Sequence, residues 1–236
     1  MPENDARDVC YLFLTAFGRL QIMKYEDHSY YHIYNRGAHK GMIFFSDKQY
    51  IRCLDLLAKY AEKYKVDVVA YCLMSNHYHL LLQQKENGSV SKCIQTMFNA
   101  YSQTVNVMEQ HSGTLFQGKA KARLIDSDEY VLQVIRYIHL NPVSAELVQK
   151  PEDRHFSDYC EWIGIPNNFL KAMQPSEGQS RSDETFGRLL LPNFSEGDIR
   201  LRDTYFSTAK EYQRFVEEYW KEQQSINIEK FLFIEE

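Results

Sequence analysis

The chain has 236 residues, 44% of them hydrophobic and 14% aromatic, with 27 Lys+Arg against 32 Asp+Glu for a net charge of −5. That length and apolar content allow one sizeable domain with a buried core plus an appendage, and they exclude an intrinsically disordered chain. Five cysteines, an odd number with no Cys-x-x-Cys pair, read as free thiols of a reducing cytoplasm, and no apolar run reaches the roughly 18 residues of a membrane span.

Charge is unevenly spread. Residues 24–160 hold 16 basic against 15 acidic side chains, whereas residues 161–236 hold 9 against 14, so a surface for a polyanion must be a local patch. The N-terminus lacks a basic-then-apolar leader, which again points to the cytoplasm. Residues 1–23 carry a short apolar piece, Cys10-Tyr-Leu-Phe-Leu14, and read as an N-terminal extension.

From Ser29 to Asn35 the sequence alternates and is rich in Tyr and Ile, predicting a first strand with Tyr31 and Ile33 on one face and Tyr30, His32 and Tyr34 on the other. Arg36-Gly37 ends it. Asp47 is a candidate cap for a helix to about Tyr64, bearing Tyr50, Ile51, Leu54, Leu57, Ala58 and Ala61 at helical spacing. Strands Val66–Cys72 and Met74–Gln83 follow, joined by so short a turn that antiparallel pairing is expected. Ser89 or Ser91 opens a long helix, Val90–Met108. Leu115–Ile125 reads as the last strand, with Lys119, Lys121 and Arg123 at period two; such a stripe suits a phosphodiester chain, or simply a charged edge that deters aggregation.

A further helix runs from Glu129 to about Leu140, and Pro142 disfavours helical conformation at Asn141 and so predicts its end there. The order strand–helix–strand–strand–helix–strand predicts an α+β fold, a ferredoxin-like (RRM-like) antiparallel sheet backed by two helices, with the late helix added. Beyond residue 162 a polar linker, Gln174–Asp183, leads to an amphipathic helix at Ser207–Gln224, making residues 163–236 an acidic, helical C-terminal extension to a domain of residues 24–162.

Chemistry concentrates in two places. His77 and His79, one residue apart on a strand, leave the same face about 6.5–7 Å apart and can grip one divalent ion, or be ordinary half-exposed strand residues. Tyr137 and Asn141 lie one helical turn apart. A tyrosine hydroxyl, with its ordinary pKa of about 10, attacks phosphorus only if a cation neutralises the ester. His77, His79 and the Asn141 amide oxygen would form an N,N,O site for Mg²⁺ or Mn²⁺, though imidazole also accepts Zn²⁺. His139 faces elsewhere on the helix and has no assigned role, Tyr130 is an auxiliary hydroxyl at most, and His32 reads as a half-buried strand histidine.

The runs Tyr31–Gly37, Ala70–Leu82, Gly113–Gly118 and Tyr137–Val148 resemble the single-tyrosine transposases of small insertion sequences, and more closely their relatives associated with repetitive extragenic palindromes. Both are HUH endonucleases, named for histidine–hydrophobic–histidine. The resemblance spans about Lys24–Trp162 and implies a metal-dependent endonuclease and strand transferase acting on single-stranded DNA beside a hairpin. It makes His77 and His79 the metal pair, Tyr137 the nucleophile of a 5′-phosphotyrosine and Asn141 the third ligand, where Gln often stands in insertion-sequence enzymes. Arg36, closing the first motif, joins Lys119, Lys121 and Arg123 as DNA contacts. Relatives act as monomers or as dimers that exchange the tyrosine helix, so a homodimer is an expected partner, and the work would be done in the cytoplasm at the nucleoid. Two features depart from the pattern: Lys119-Ala120 where relatives often have Arg-aromatic, and the acidic tail. The other readings are a domesticated hairpin-DNA binder that no longer cuts, and an RNA-binding module, for which the Lys/Arg-Gly-Phe/Tyr-Gly/Ala-Phe signature is missing.

Overall fold

The computed structural model describes residues 11–14, 20–23, 25–110, 112–172 and 196–225. Strands β1 (Tyr11–Leu14) and β2 (Leu20–Met23) pair antiparallel. The remainder is built on a second antiparallel sheet of β3 (Tyr30–Arg36), β4 (Val66–Leu73), β5 (His77–Gln84) and β6 (Lys121–Ile125), in the order β4-β5-β3-β6. With α1 (Asp47–Lys63) between β3 and β4 and α2 (Val90–Met108) between β5 and β6, this is the expected ferredoxin-like plan. Cys10 and the linker Gln174–Asp183 lie outside the described residues. Cys53, Cys72, Cys93 and Cys160 are free and buried. No described helix is long and apolar enough to cross a membrane.

The sheet has two unlike faces. Tyr31, Ile33, Tyr71, Leu73, Tyr78, Leu80 and Leu82 point under α1 and α2 and close a hydrophobic core with Leu54, Leu57, Ile94, Met97 and Tyr101. On the other side Ala70, Cys72, Leu81 and Ile125 meet Val131, Val134, Ile135 and Ile138 of α3 (Asp128–Ser144). That helix covers only part of its face. A bulge divides β4, because Val68 pairs with Leu82 and Ala70 with Leu81, leaving Val69 unpaired. The extra residue reverses the parity of the strand, so Val66 and Val68 before it and Tyr71 and Leu73 after it all reach the same core.

Three expectations need correction. The last strand is only Lys121–Ile125; its expected first half is a loop, with Phe116 bridged singly to Gly37 and Gly118 at φ +128°, so Lys119 does not belong to the stripe. β5 begins at His77, since Met74–Asn76 form the turn that Met74 N–H closes onto His77 C=O at 2.9 Å. The tyrosine helix does not stop at Asn141 but carries Pro142 inside it and runs to Ser144. Proline removes one N–H from the ladder and crowds the preceding turn. Burial of Asn141, Pro142 and Val143 offsets that cost, and the end is closed by Ala145 N–H on Asn141 C=O (2.9 Å) and Leu147 N–H on Pro142 C=O (3.0 Å).

After α3 come two short helices, α4 (Tyr159–Trp162) and α5 (Asn168–Ala172), then α6 (Glu196–Tyr205) and α7 (Ala209–Ser225). The amphipathic stripe expected near Ser207–Gln224 is on α7 and packs on the outer side of α3. Tyr212 and Val216 enter the α3 core, and the Arg136 guanidinium lies 4.3 Å from the Phe215 ring centre and 3.7 Å from that of Tyr219.

Candidate active site

Register brings the candidate residues together. Tyr34 sits between His79 on β5 and Lys121 on β6, Arg36 sits opposite His77, and His32 opposite Arg123. Directly opposed residues of antiparallel strands share a face. All of these therefore rise from the α3 side of the sheet, next to the end that α3 leaves open.

α3 is aimed at them by its own chemistry. Ser127 Oγ accepts from Tyr130 N–H at 3.3 Å and fixes the start of the helix, while its apolar row lies on β4. Two turns later Tyr137 meets the histidines, with ring centres 5.2 Å from His79 and 6.0 Å from His32, both edge-on. Asn141, 6% exposed, places Oδ1 2.9 Å from His77 Nε2. The hydroxyl-bearing ring and both imidazoles thus meet within one chain.

His77 is held from behind as well. Its Nδ1 lies 2.7 Å from Asn76 Oδ1, in a turn anchored by Gly37 N–H on Asn76 C=O at 2.8 Å. Gly37 is required there because a Cβ would lie 2.0 Å from Gly41 O. Burial is the main force pushing the His77 pKa down, with Arg154 and Arg36 adding to it and the Asn141 contact opposing. A neutral ring has one proton and here faces two amide oxygens, Asn76 Oδ1 and Asn141 Oδ1. The ring can donate to only one of the two, so the other contact is met either by an amide turned to present its N–H₂ or by a cation shared between the two acceptors. The 2.9 Å separation also fits the edge of an octahedron with metal–ligand bonds of about 2.1 Å, roughly 3.0 Å. His79 is driven well below the ordinary range by burial, then by His32 and His77, so it too is neutral and able to ligate. Among the described residues no three His, Cys, Asp or Glu side chains form a metal cluster; the side-chain oxygen set against His77 Nε2 is that of the Asn141 amide.

Burial pushes the Tyr137 pKa up to about 12, while hydrogen bonding to Asn141 pulls the other way. Lys121 and Arg123 are exposed; Lys121 Nζ lies 5.7 Å over the Tyr34 ring, and the Arg123 guanidinium 5.2 Å from that of Tyr130. Arg36 is half-buried and its Nε donates to Gln117 Oε1. Lys119 is exposed on the loop, apart from the strand cations.

The structure adds contacts that sequence reasoning did not pair. His32 Nε2 is 3.0 Å from His79 Nδ1. His139, left without a role, is wholly buried: Tyr212 O–H donates to its Nδ1 at 2.5 Å, and its Nε2–H to Asp158 Oδ1 at 3.1 Å. Asp158 also accepts from Tyr71 N–H (2.7 Å) and Trp162 Nε1–H (3.2 Å), tying α7, α3, α4 and β4 together. Alternation could have put His32 and His79 on one face only if strand order had been known.

The family model for IS200-like transposases matches residues 26–141, the stretch that contains every residue of this site. Residues 26–141 are an IS200-like transposase domain. Among solved structures, the chain is similar to a REP-associated tyrosine transposase bound to a REP hairpin, at 14% identity and TM-score 0.52, covering 70% of this chain and 95% of that one. That likeness establishes the fold of the transposase domain. A candidate transposase from Deinococcus radiodurans R1 is also similar, at 17% identity and TM-score 0.36, over 49% of this chain and 95% of that one. No curated protein matches.

Proposed function

We propose that the chain is a metal-dependent endonuclease and strand transferase for single-stranded DNA, cutting at or near a hairpin through a 5′-phosphotyrosine. The observation that carries this reading is the meeting, within one chain, of the Tyr137 ring with His79 and of Asn141 Oδ1 with His77 Nε2. His77, His79 and Asn141 would hold Mg²⁺ or Mn²⁺, which when bound supplies charge neutralisation on the phosphate and in-line placement of the ester.

Tyr137 Oη attacks phosphorus; its bond to phosphorus forms as the P–O3′ bond breaks, and the phenolic proton passes through solvent to the departing 3′ oxygen. The reverse attack by a 3′-hydroxyl reseals a strand, so no external energy source is needed. Lys121, Arg123 and Arg36 line the approach and would neutralise phosphates of the incoming strand. A hairpin substrate is supported by the hairpin carried by the REP-associated structure. With Tyr137 and His79 in one chain, a second copy is not needed to complete the site. The setting is the cytoplasm, at the nucleoid where chromosomal DNA lies.

A labelled single-stranded hairpin incubated with Mn²⁺ tests this directly. Wild-type protein should form a denaturation-resistant protein–DNA adduct, and Tyr137→Phe should form none while binding the hairpin normally. Binding without adduct in the wild type would instead make the chain a non-cleaving hairpin binder.

A further inference from the structure

Each histidine of β5 has its Nδ1 engaged by a second residue. His77 Nδ1 meets Asn76 Oδ1 at 2.7 Å, and His79 Nδ1 meets His32 Nε2 at 3.0 Å. A neutral imidazole carries one proton, and a nitrogen that holds it cannot bind a cation. An amide oxygen only accepts, so with a cation on Nε2, as the metal reading has it, the proton of His77 sits on Nδ1, where Asn76 Oδ1 accepts it. His32 stands in the matching position behind His79.

We propose that His32 is a positioning residue for the metal site: its Nε2 accepts the Nδ1 proton of His79 and fixes His79 as the tautomer whose Nε2 lone pair is turned to the cation. The inference rests on the metal reading of the site given above. Three observations carry it. His32 and His79 are 8% and 7% exposed, so water competes poorly for the contact. Their rings stack at 5.2 Å and 25°, which fixes the plane of His79 as well as its proton. His32 is itself braced by Tyr34, ring centres 5.0 Å apart, and is supplied by β3, one of the two interior strands of the sheet. Because Nε2 of His32 is spent on His79, His32 acts through its neighbour. Partners that orient a ligating histidine in this way typically contribute a factor of about 10–100 in metal affinity.

Calorimetric titration of Mn²⁺ into the full chain without DNA tests this. His32→Phe keeps a ring in place but offers no acceptor, and should weaken Mn²⁺ binding about 10–100-fold. His32→Gln, whose amide oxygen can accept the same proton, should remain within a few-fold of wild type. Thermal melts establish that both variants are folded at the titration temperature. Wild-type affinity in folded His32→Phe, or His32→Gln as weak as His32→Phe, would overturn the inference alone. A wild-type chain that takes up no Mn²⁺, or one whose uptake is unchanged in His77→Ala, would sink the proposed function and this inference together.

Discussion

The two faces of the central sheet are held by different forces. Under α1 and α2 the contacts are almost all apolar, with Tyr31, Ile33, Leu80 and Leu82 meeting Leu54, Leu57 and Met97. Under α3 the apolar row is interrupted by His32, His79, Asn141, His139 and Asp158, every one of them buried. Dispersion and the hydrophobic effect tolerate inexact partners, but buried polar groups are costly unless each finds its mate. The site face therefore gives up packing freedom in return for fixed orientations, and the opposite face supplies the rigidity that makes such an exchange stable.

The sharpest way to break that contrast is at Asp158. Asp158→Ala removes the acceptor for Tyr71 N–H, His139 and Trp162 at once, and should cost about 3–5 kcal/mol in urea unfolding, with faster hydrogen exchange in α3 and α7 than elsewhere. Leu80→Ala, on the apolar face, should cost about 2–5 kcal/mol by leaving a cavity, yet leave adduct formation per folded molecule unchanged. Equal loss of adduct in both variants would erase the division of labour between the faces.

A smaller effect lies on α1, where Asp55 Oδ1 is buried without a partner and burial, only partly opposed by Arg52, raises the carboxyl pKa to about 7. The folded-state pKa lies above the unfolded one, so the folded chain binds this proton more tightly. Asp55 therefore costs nothing below about pH 4, and its penalty grows until the pH passes about 7. Asp55→Asn should raise stability by about 1 kcal/mol at pH 8 and by nothing at pH 4, read from melts at the two pH values. The smallest change is expected in DNA binding. Lys121→Ala and Arg123→Ala should each lower the slope of log affinity against log salt by about 1, whereas Lys119→Ala, off the strand, should leave it nearly unchanged.

Much of this was legible in the chain. Alternation in Tyr30–Tyr34 assigned the two faces of β3 correctly, the apolar spacing of α2 gave Val90–Met108, and His77 and His79 do share a face. What stayed hidden depends on the whole fold. Gly118 turns the chain so that Lys119 misses the strand, and no local propensity announces where an edge strand begins. Pro142 ends most helices, and continues this one only because the surrounding residues are buried. The contacts of His79 with His32 and of His139 with Asp158 span 47 and 19 residues, and neither follows from any period. The stripe on α7 was visible, but not that it would grip α3.

That grip has a mechanical meaning for an enzyme of the proposed kind. Arg136 wedged between Phe215 and Tyr219, and His139 bound to Tyr212, bolt the helix that carries Tyr137 to α7. A severed 5′ end bonded to Tyr137 would be moored to a fixed post rather than carried on a moving arm. Any new junction would then have to be delivered by travel of the nucleic acid, with the polypeptide standing still.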